Sequence, residues 1–179
     1  MATEVLIKNG TAITWAHAED YANVPYVDNY ELDLTGLANA AARQGAKGDL
    51  GATRAAMFAV RVGVELDVDL TAAGSIFVYW SSSPSATAAT SNTGGASGSD
   101  GAYTDGVNSH KENLEFLGTL TLPATADDDI LYDAVIGVFS PKERYGMPVV
   151  INASGQALEA AADKMYVSLI PIVDEIQNA

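Results

Sequence analysis

The sequence predicts an all-β protein, an antiparallel β-sandwich with long loops and little helix, and a jelly roll is favoured among such folds. Three observations predict it. About eight or nine β-prone runs are bounded by Gly, Pro, Asp or Asn, helical patterns are weak, and strands do not alternate with helices as they would in a parallel sheet. With 179 residues, 48% of them hydrophobic and 18% charged, the chain fits a single domain with its own core.

The first 34 residues are predicted to form a hairpin or arm that packs on the main domain or extends from it, and residues 35–179 the β-sandwich, with one globular domain overall. In EVLIKNGTAITW, Asn9 and Gly10 separate two β-prone runs, and Asn-Gly favours a tight hairpin turn. Four aromatic residues cluster in this region: Trp15, Tyr21, Tyr26 and Tyr30. Aromatic residues are enriched in protein interfaces and also form sugar-binding platforms, and the irregular arm between them favours the interface.

The clearest single strand is FAVRVGVELDVDL, residues 58–70. Its apolar residues occupy every second position, which predicts a long strand with one buried and one solvated face. Asp67 and Asp69 fall on the solvated face, where charge discourages edge-to-edge pairing between sheets. A second acidic group, ADDDI at residues 126–130, is typical of a charged turn. A cation site or a catalytic carboxylate pair is the less favoured interpretation of both groups.

The other strands are predicted along the chain in this order: NYELDL, SIFVYW, LEFLGTLTL, ILYDAVIGVF, MPVVIN and KMYVSLIPIVDEI. In the last of these, Pro171 removes a ladder donor, which predicts a sheet edge or a bend. Two segments have a partial helical pattern. The glycine-interrupted LANAAARQGAKGDLG is predicted as a loop with at most a short turn, whereas QALEAAADKM is predicted to form two helical turns.

One long segment lacks the side chains that usually carry chemistry. Between Ser81 and Ala102 there is no basic, aromatic or large aliphatic residue. It has no lysine for a phosphate-binding loop, its glycines miss the dinucleotide spacing, and its single GGASGSDG does not make a stacked calcium repeat. Each flank has too few strands to be a domain, which argues against a linker. A segment that packs on a neighbouring subunit and a disordered excursion remain as equal alternatives.

Composition argues against several classes of function. A formal net charge of −14 would repel nucleic acid and anionic membranes, and no apolar run approaches the roughly 18 residues that cross a bilayer. The chain has no cysteine and no recognisable secretory leader, which fits synthesis in a reducing cytoplasm. The two histidines, His17 and His110, have polar, turn-like surroundings, without a nucleophile-elbow or zinc motif nearby. No enzyme activity, cofactor or metal is predicted.

Three stretches carry a more specific signal: AARQGAKGDLGATRA, VYWSSSPSATAATSNTGGASGSDGAY, and GVFSPKERYGMPVVINASGQAL with a later LIPIVDEIQ. Together, over residues 35–177, they resemble small virion structural proteins of tailed bacteriophages, of the capsid decoration or cement type. The resemblance implies a non-enzymatic protein, made in the host cytoplasm, that binds and stabilises the shell on the virion exterior. Its partners would be the major capsid protein or other virion proteins, with no nucleic acid or membrane, and it would be a homo-oligomer, a trimer or a dimer.

A basic island in this acidic chain is predicted to dock on an acidic shell surface, with apolar anchors near it. The predicted interface residues are three cations, Arg43, Lys47 and Arg54, and three anchors, Tyr26, Tyr30 and Leu50. The alternative function is a receptor- or glycan-binding module of a phage tail or fibre. In that case the early aromatic residues and the long Ser/Gly segment would form a shallow binding site.

Overall fold

The computed structural model describes residues 3–20, 28–104, 111–161 and 164–178. Within these ranges, twelve β-strands form two sheets, with three short 3-10 turns between strands. The strands are β1 (Thr3–Asn9), β2 (Ile13–Ala16), β3 (Asp28–Glu31), β4 (Ala42–Gln44), β5 (Gly48–Asp49), β6 (Met57–Val64), β7 (Gly74–Ser83), β8 (Gly101–Ala102), β9 (Glu115–Leu122), β10 (Tyr132–Phe139), β11 (Tyr145–Ala153) and β12 (Tyr166–Asn178). The turns are Ala18–Asp20, Thr93–Gly95 and Lys111–Asn113. The prediction of an all-β sandwich is confirmed.

Sheet A has the strand order β10-β6-β12-β2-β3, and β1 pairs with β12 in line with β2. Sheet B has the order β8-β4-β11-β7-β9, and β5 pairs with β11 in line with β4. Of the described pairings only β2 with β3 is parallel. The antiparallel pairs are nested along the chain: β1 and β2 pair with β12, β4 and β5 with β11, β6 with β10, and β7 with β9.

The core lies between the two sheets. Alternate residues of the central strands are buried in it: Phe58, Val60, Val62 and Val64 on β6, Ile76, Val78 and Trp80 on β7, and Val167 and Leu169 on β12. Trp15 of β2 belongs to the same core, with its ring centroid 5.4 Å from that of Trp80. The segment before residue 35 therefore supplies strands of sheet A and a core tryptophan.

The predicted strand over residues 58–70 is too long, because β6 ends at Val64. After Glu65 the backbone leaves the sheet, and Leu66 forms a single bridge with Leu158. Leu66 and Leu70 are nevertheless buried, so the apolar alternation continues although the strand does not. The same bridge holds Leu158 in an extended conformation opposite Leu66, and the predicted helical turns over residues 156–165 are not formed in their described part.

The predicted Asn-Gly hairpin is also wrong, because β1 and β2 lie end to end along β12. Gly10 lies at the interruption and donates a backbone hydrogen bond to the carbonyl of Pro171, N–O 2.8 Å. In an antiparallel strand the carbonyl and N–H of one residue point to the same side. The donor that Pro171 lacks therefore falls opposite the interruption, and this proline lies inside sheet A rather than at its edge.

Candidate interaction surface

The long segment between β7 and β8, which we call the cover segment (residues 84–100), lies over the outer face of sheet B. Met147 and Val149 of β11 point away from the core, yet both are buried. They pack in a second hydrophobic cluster with Ala96 of the cover segment and with Tyr103 just beyond it. The disordered excursion considered from sequence is therefore wrong, and contact of this segment with a neighbouring subunit stays a prediction.

The side chain of Lys47 binds the first half of the cover segment and the end of β7. Its Nζ, which has three N–H donors, lies within hydrogen-bond distance of Ser83 Oγ (2.9 Å) and of the carbonyl oxygens of Ser85 (3.1 Å), Thr87 (2.7 Å) and Thr90 (3.0 Å). Four oxygen acceptors thus surround one ammonium group, and burial lowers the pKa of the Lys47 amine. The ammonium group thus draws the carbonyl oxygens of the cover segment together around one positive charge.

Two residues of β4 hold the end of the cover segment. Gln44 is buried; its Oε1 accepts from the backbone N of Ser97 (3.0 Å) and its Nε2 donates to Ser99 O (3.1 Å). Arg43 Nε donates to Asp100 Oδ1 (3.2 Å), and the same guanidinium also pairs with Oδ2 of Asp100. The strand edge and the segment are therefore joined through side chains as well as through β8.

Each cation of the basic island has an acceptor within the chain. Besides Arg43 and Lys47, Arg54 Nη2 donates to Lys142 O (3.2 Å). Sequence reasoning missed these roles because the acceptors of Arg43 and Lys47 lie 57 and 36 residues away along the chain. Docking of these cations on a shell stays a prediction, while their intrachain contacts are a property of the fold.

Two of the predicted apolar anchors lie in or against the core. Tyr30 stacks on the buried Trp15 with ring centroids 5.3 Å apart, and its hydroxyl accepts a hydrogen bond from Asp49 N at 2.8 Å. Leu50 is only 5% exposed. In this conformation neither residue offers a large apolar surface to a partner. Three residues singled out from the sequence lie outside the described ranges: Tyr21, Tyr26 and His110.

The outer face of sheet A, in contrast, carries exposed apolar side chains. Val138 and Val135 of β10 are 62% and 56% exposed, and Met57 of β6 is 45% exposed. Val135 and Val138 share this face although they are three residues apart, because β10 bulges between Val135 and Gly137. Their register partners on β6 are Arg61 and Ala59.

The register defines the extent of this surface, which we call the open face. It consists of Met57, Ala59, Val135, Val138, Ile170 and Ile172. Val138 and Ile170 flank Ala59 on neighbouring strands, and Ile172 lies opposite Met57. At one end, Arg61 donates two hydrogen bonds to Asp133, Nε–Oδ1 and Nη2–Oδ2 both 2.6 Å, so a charged pair borders the apolar rows. Met57, Val135 and Val138 are exposed, and Ala59, Ile170 and Ile172 are half-buried beside them. Neighbouring apolar side chains at a surface are typical of interaction sites.

Three carboxylates form a separate acidic cluster at the turn before β10. Oxygens of Asp69, Asp127 and Asp128 lie within 4.8 Å of one another, which a hard cation such as Ca²⁺ could share. Partial burial and the charge of Asp69 raise the pKa of Asp128. The charged turn predicted from ADDDI is confirmed, since a turn lies at these residues. The cluster by itself assigns no activity.

A cavity of about 310 Å³ opens beside the cover segment. Its charged lining is mainly acidic, from Glu112, Glu115 and Glu143, with Lys142 Nζ 3.5 Å from Glu115 Oε2. Such a lining suits a cationic group better than a phosphate.

A separate ion pair joins β5 to the start of β11. Arg144 binds Asp49 through Nε–Oδ1 (2.8 Å) and Nη2–Oδ2 (2.7 Å), and these hydrogen bonds lower the pKa of Asp49.

Comparison with known proteins identifies no relative. No known protein family matches the chain, and neither a curated protein nor a solved structure is significantly similar to it. Within the described ranges, no helix has the length and apolar character needed to cross a membrane. The function therefore has to be argued from the surfaces described above.

Proposed function

We propose that this protein is a non-enzymatic structural protein of a phage virion, a decoration protein that binds the capsid shell through the open face of sheet A. The observation that carries the proposal is the contrast between the two sheets. The outer face of sheet B is covered along β11 and leaves Phe116 of β9 exposed, whereas the outer face of sheet A leaves Val138, Val135 and Met57 about half exposed on β10 and β6. A group of exposed apolar side chains on one outer face suits a protein that lies on another surface.

The open face supplies the apolar anchors that a docking surface needs. Burying the exposed parts of Val135, Val138 and Met57 would contribute about 2–5 kcal/mol, at 1.5–3 kcal/mol for each fully buried side chain. That is less than the entropic cost of bringing two proteins together. A stable complex therefore needs several copies acting at once, which a homo-oligomer on a symmetric shell provides. The Arg61–Asp133 pair at the border would help to set orientation.

Two further properties support the same proposal. The nested order of the strand pairs, with β1 and β2 on β12, β4 and β5 on β11, β6 on β10 and β7 on β9, supports the jelly-roll interpretation of the sandwich. The net charge of −14 would keep the protein away from packaged DNA and so favours the particle exterior. The major capsid protein is the proposed partner.

The alternative, a tail or fibre module that binds a receptor or glycan, would need exposed, flat-lying aromatic rings. Among the described aromatic residues, Trp15 is buried beneath Tyr30. Phe116 is exposed, and its ring makes an angle of 57° with that of Tyr79, so these two rings do not form one flat platform. This geometry favours the shell over the glycan, and the alternative remains as an outcome of the test.

The test is co-sedimentation of the purified protein with shells that lack it and, separately, with capsid-free tails. We expect stoichiometric binding to shells, and at least tenfold weaker binding by Val138→Asp, on the order of 1.4 kcal/mol. Val68→Asp is the matched control, because Val68 is also exposed but lies outside the open face. Equal binding by Val138→Asp and the wild type would exclude the open face as the docking surface. Binding only to tails would favour the alternative, and binding to neither would refute both.

A further inference from the structure

A second cavity, of about 400 Å³, lies at the end of the open face where β6 begins. Its described lining consists of the bend at residues 52–56 and of Pro141. The bend leads directly into Met57 of the open face, and Pro141 follows the end of β10, the strand that pairs with β6. The cavity therefore adjoins the exposed apolar side chains, at the end away from the Arg61–Asp133 pair.

Arg54 is the charged side chain of the described lining. Its Nη2 donates to the carbonyl oxygens of Pro141 (3.4 Å) and Lys142 (3.2 Å), which holds the guanidinium beside the cavity. A guanidinium has five N–H donors, of which Nη2 carries two. The donors on Nε and Nη1 have no hydrogen-bond acceptor among the described residues and remain for a ligand.

The positive charge of Arg54 is not balanced by a carboxylate in the described part of the chain. The cations that follow in the loop bound by Arg54 do have partners, since Lys142 Nζ lies 3.5 Å from Glu115 Oε2 and Arg144 binds Asp49. Both of these pairs are neutral, so Arg54 is left as an unbalanced cation in a chain of net charge −14. A carboxylate from outside the chain would balance it.

The structure thus distinguishes between the three cations predicted to dock on a partner. Asp33 and Asp100 balance the charge of Arg43, and four oxygens of the chain surround the ammonium of Lys47. Of these three cations, Arg54 is the one with free donors beside an open cavity and beside exposed apolar side chains.

The backbone of the bend supports an anion in the same place. None of the amide groups of residues 52–56 donates a hydrogen bond to another described residue. A guanidinium suits the binding of carboxylates, and free amides beside it can add further hydrogen bonds to an anion. A phosphate chain such as nucleic acid fits less well, because the net charge of −14 repels it.

We propose that this cavity, which we call the Arg54 site, binds a carboxylate of the protein on which the open face docks. The ligand is an Asp or Glu side chain whose apolar neighbours contact Met57 and Val138. The free guanidinium N–H groups donate charge-assisted hydrogen bonds to its oxygens, and these bonds fix the orientation of the partner as well as adding affinity. The choice of partner rests on the proposed function, whereas the affinity of the site for a carboxylate can be measured without it.

The first test uses the isolated protein and hexanoate, which carries a carboxylate on an apolar tail. Titration followed by NMR at constant ionic strength should give saturable shifts at the Arg54 Nε–H and at the amides of residues 52–57. The matched controls, hexanol and hexylammonium, should bind at least about fivefold more weakly, because they cannot accept hydrogen bonds as an anion does. Shifts no larger with hexanoate than with hexanol would overturn the proposal, and tighter binding of hexyl phosphate would refute the choice of a carboxylate.

Variants connect these shifts to the guanidinium. Arg54→Gln should bind hexanoate at least about tenfold more weakly than the wild type, and Arg54→Lys should lie between them, because it keeps the charge but not the planar set of donors. Lys142→Gln makes the same change in net charge at a neighbouring side chain that is 77% exposed, and it should bind like the wild type. Equal binding by Arg54→Gln and Lys142→Gln would attribute the affinity to general surface charge and refute the Arg54 site.

The second test repeats the co-sedimentation with shells. Arg54→Gln should bind shells at least about tenfold more weakly than the wild type, on the order of 1.4 kcal/mol, and Lys142→Gln should bind like the wild type. Equal binding of shells by the wild type and Arg54→Gln would overturn this inference and leave the proposed function standing. Binding of hexanoate without any binding of shells would refute the proposed function and leave the carboxylate site standing.

Discussion

Replacing Lys47 by methionine would remove the ammonium group that holds the cover segment while keeping a side chain of similar length. Four oxygens would lose the ammonium as a donor, and Ser83 Oγ would remain as a donor toward Ser85 O and Thr90 O. The contacts to Thr87 and Thr90 are exposed, so water can replace the lysine there. The contacts to Ser83 and Ser85 are partly buried, so the two acceptors there would lose their charged donor and keep only the hydrogen bonds between Ser83 Oγ and the backbone of Ser85.

The magnitude follows from the two partly buried contacts. A hydrogen bond to a charged group contributes about 1.5–3 kcal/mol, so that two of them give about 3–6 kcal/mol. Part of this is offset because the variant no longer buries a charge, a cost that is visible in the lowered pKa of the Lys47 amine. We therefore expect a net loss of about 2–4 kcal/mol, which lowers the melting temperature of a domain of this size by roughly 5–12 °C.

The assay combines global and local measurements. Urea denaturation gives the free energy of unfolding, and amide hydrogen exchange reports on the cover segment, where the backbone N of Lys47 donates to Gly98 O at 3.0 Å. Detachment of the segment would also expose Met147 and Val149 to a hydrophobic dye. The control is Lys142→Met, whose side chain is 77% exposed and should change stability by less than about 0.5 kcal/mol. Exchange in the cover segment that is unchanged, or a loss no larger than that of the control, would refute the role assigned to Lys47.

Two further predictions concern the core and the acidic cluster. A Cβ added at Gly146 would lie 2.5 Å from Cζ2 of the fully buried Trp80. Gly146→Ala should therefore lower the free energy of unfolding, measured by urea denaturation, by about 1–3 kcal/mol. An unchanged urea midpoint would contradict this packing. The pKa of Asp128 is raised, so the folded state binds the carboxyl proton of Asp128 more tightly than the unfolded state does. The ionised Asp128 carboxylate therefore destabilises the fold once the pH rises above the ordinary Asp value of 3.8. Asp128→Asn should therefore raise the melting temperature at pH 7, and this gain should disappear at pH values below the ordinary pKa. The same substitution at the exposed Asp67 should have no comparable effect, and a gain at Asp128 that is independent of pH would contradict the repulsion from Asp69.

The candidate surfaces show where sequence reasoning stopped. The exposed valines of β10 could not be assigned to one face beforehand, because the bulge between Val135 and Gly137 changes the phase of the alternation. Lys47 looked like a surface cation, since three of its four acceptors are backbone carbonyls, which carry no sequence signal. Leu50 and Tyr30 looked available to a partner, and only the tertiary structure places Leu50 in the core and stacks Tyr30 on Trp15.

By itself, the sequence determined the fold class, the inward face of β6 and the absence of disulfide chemistry. These three properties follow from the local sequence. Side chains alternate between the two faces of a strand, and a chain without cysteine forms no disulfide. The tertiary structure alone decided that the chain is interrupted at Gly10 between two strands that both pair with β12, instead of turning a hairpin, and that the outer face of sheet B is covered along β11 while that of sheet A is exposed along β10. Those outcomes depend on which distant segment pairs with β12 or packs on β11, and a local pattern specifies that a strand has a partner without specifying which one.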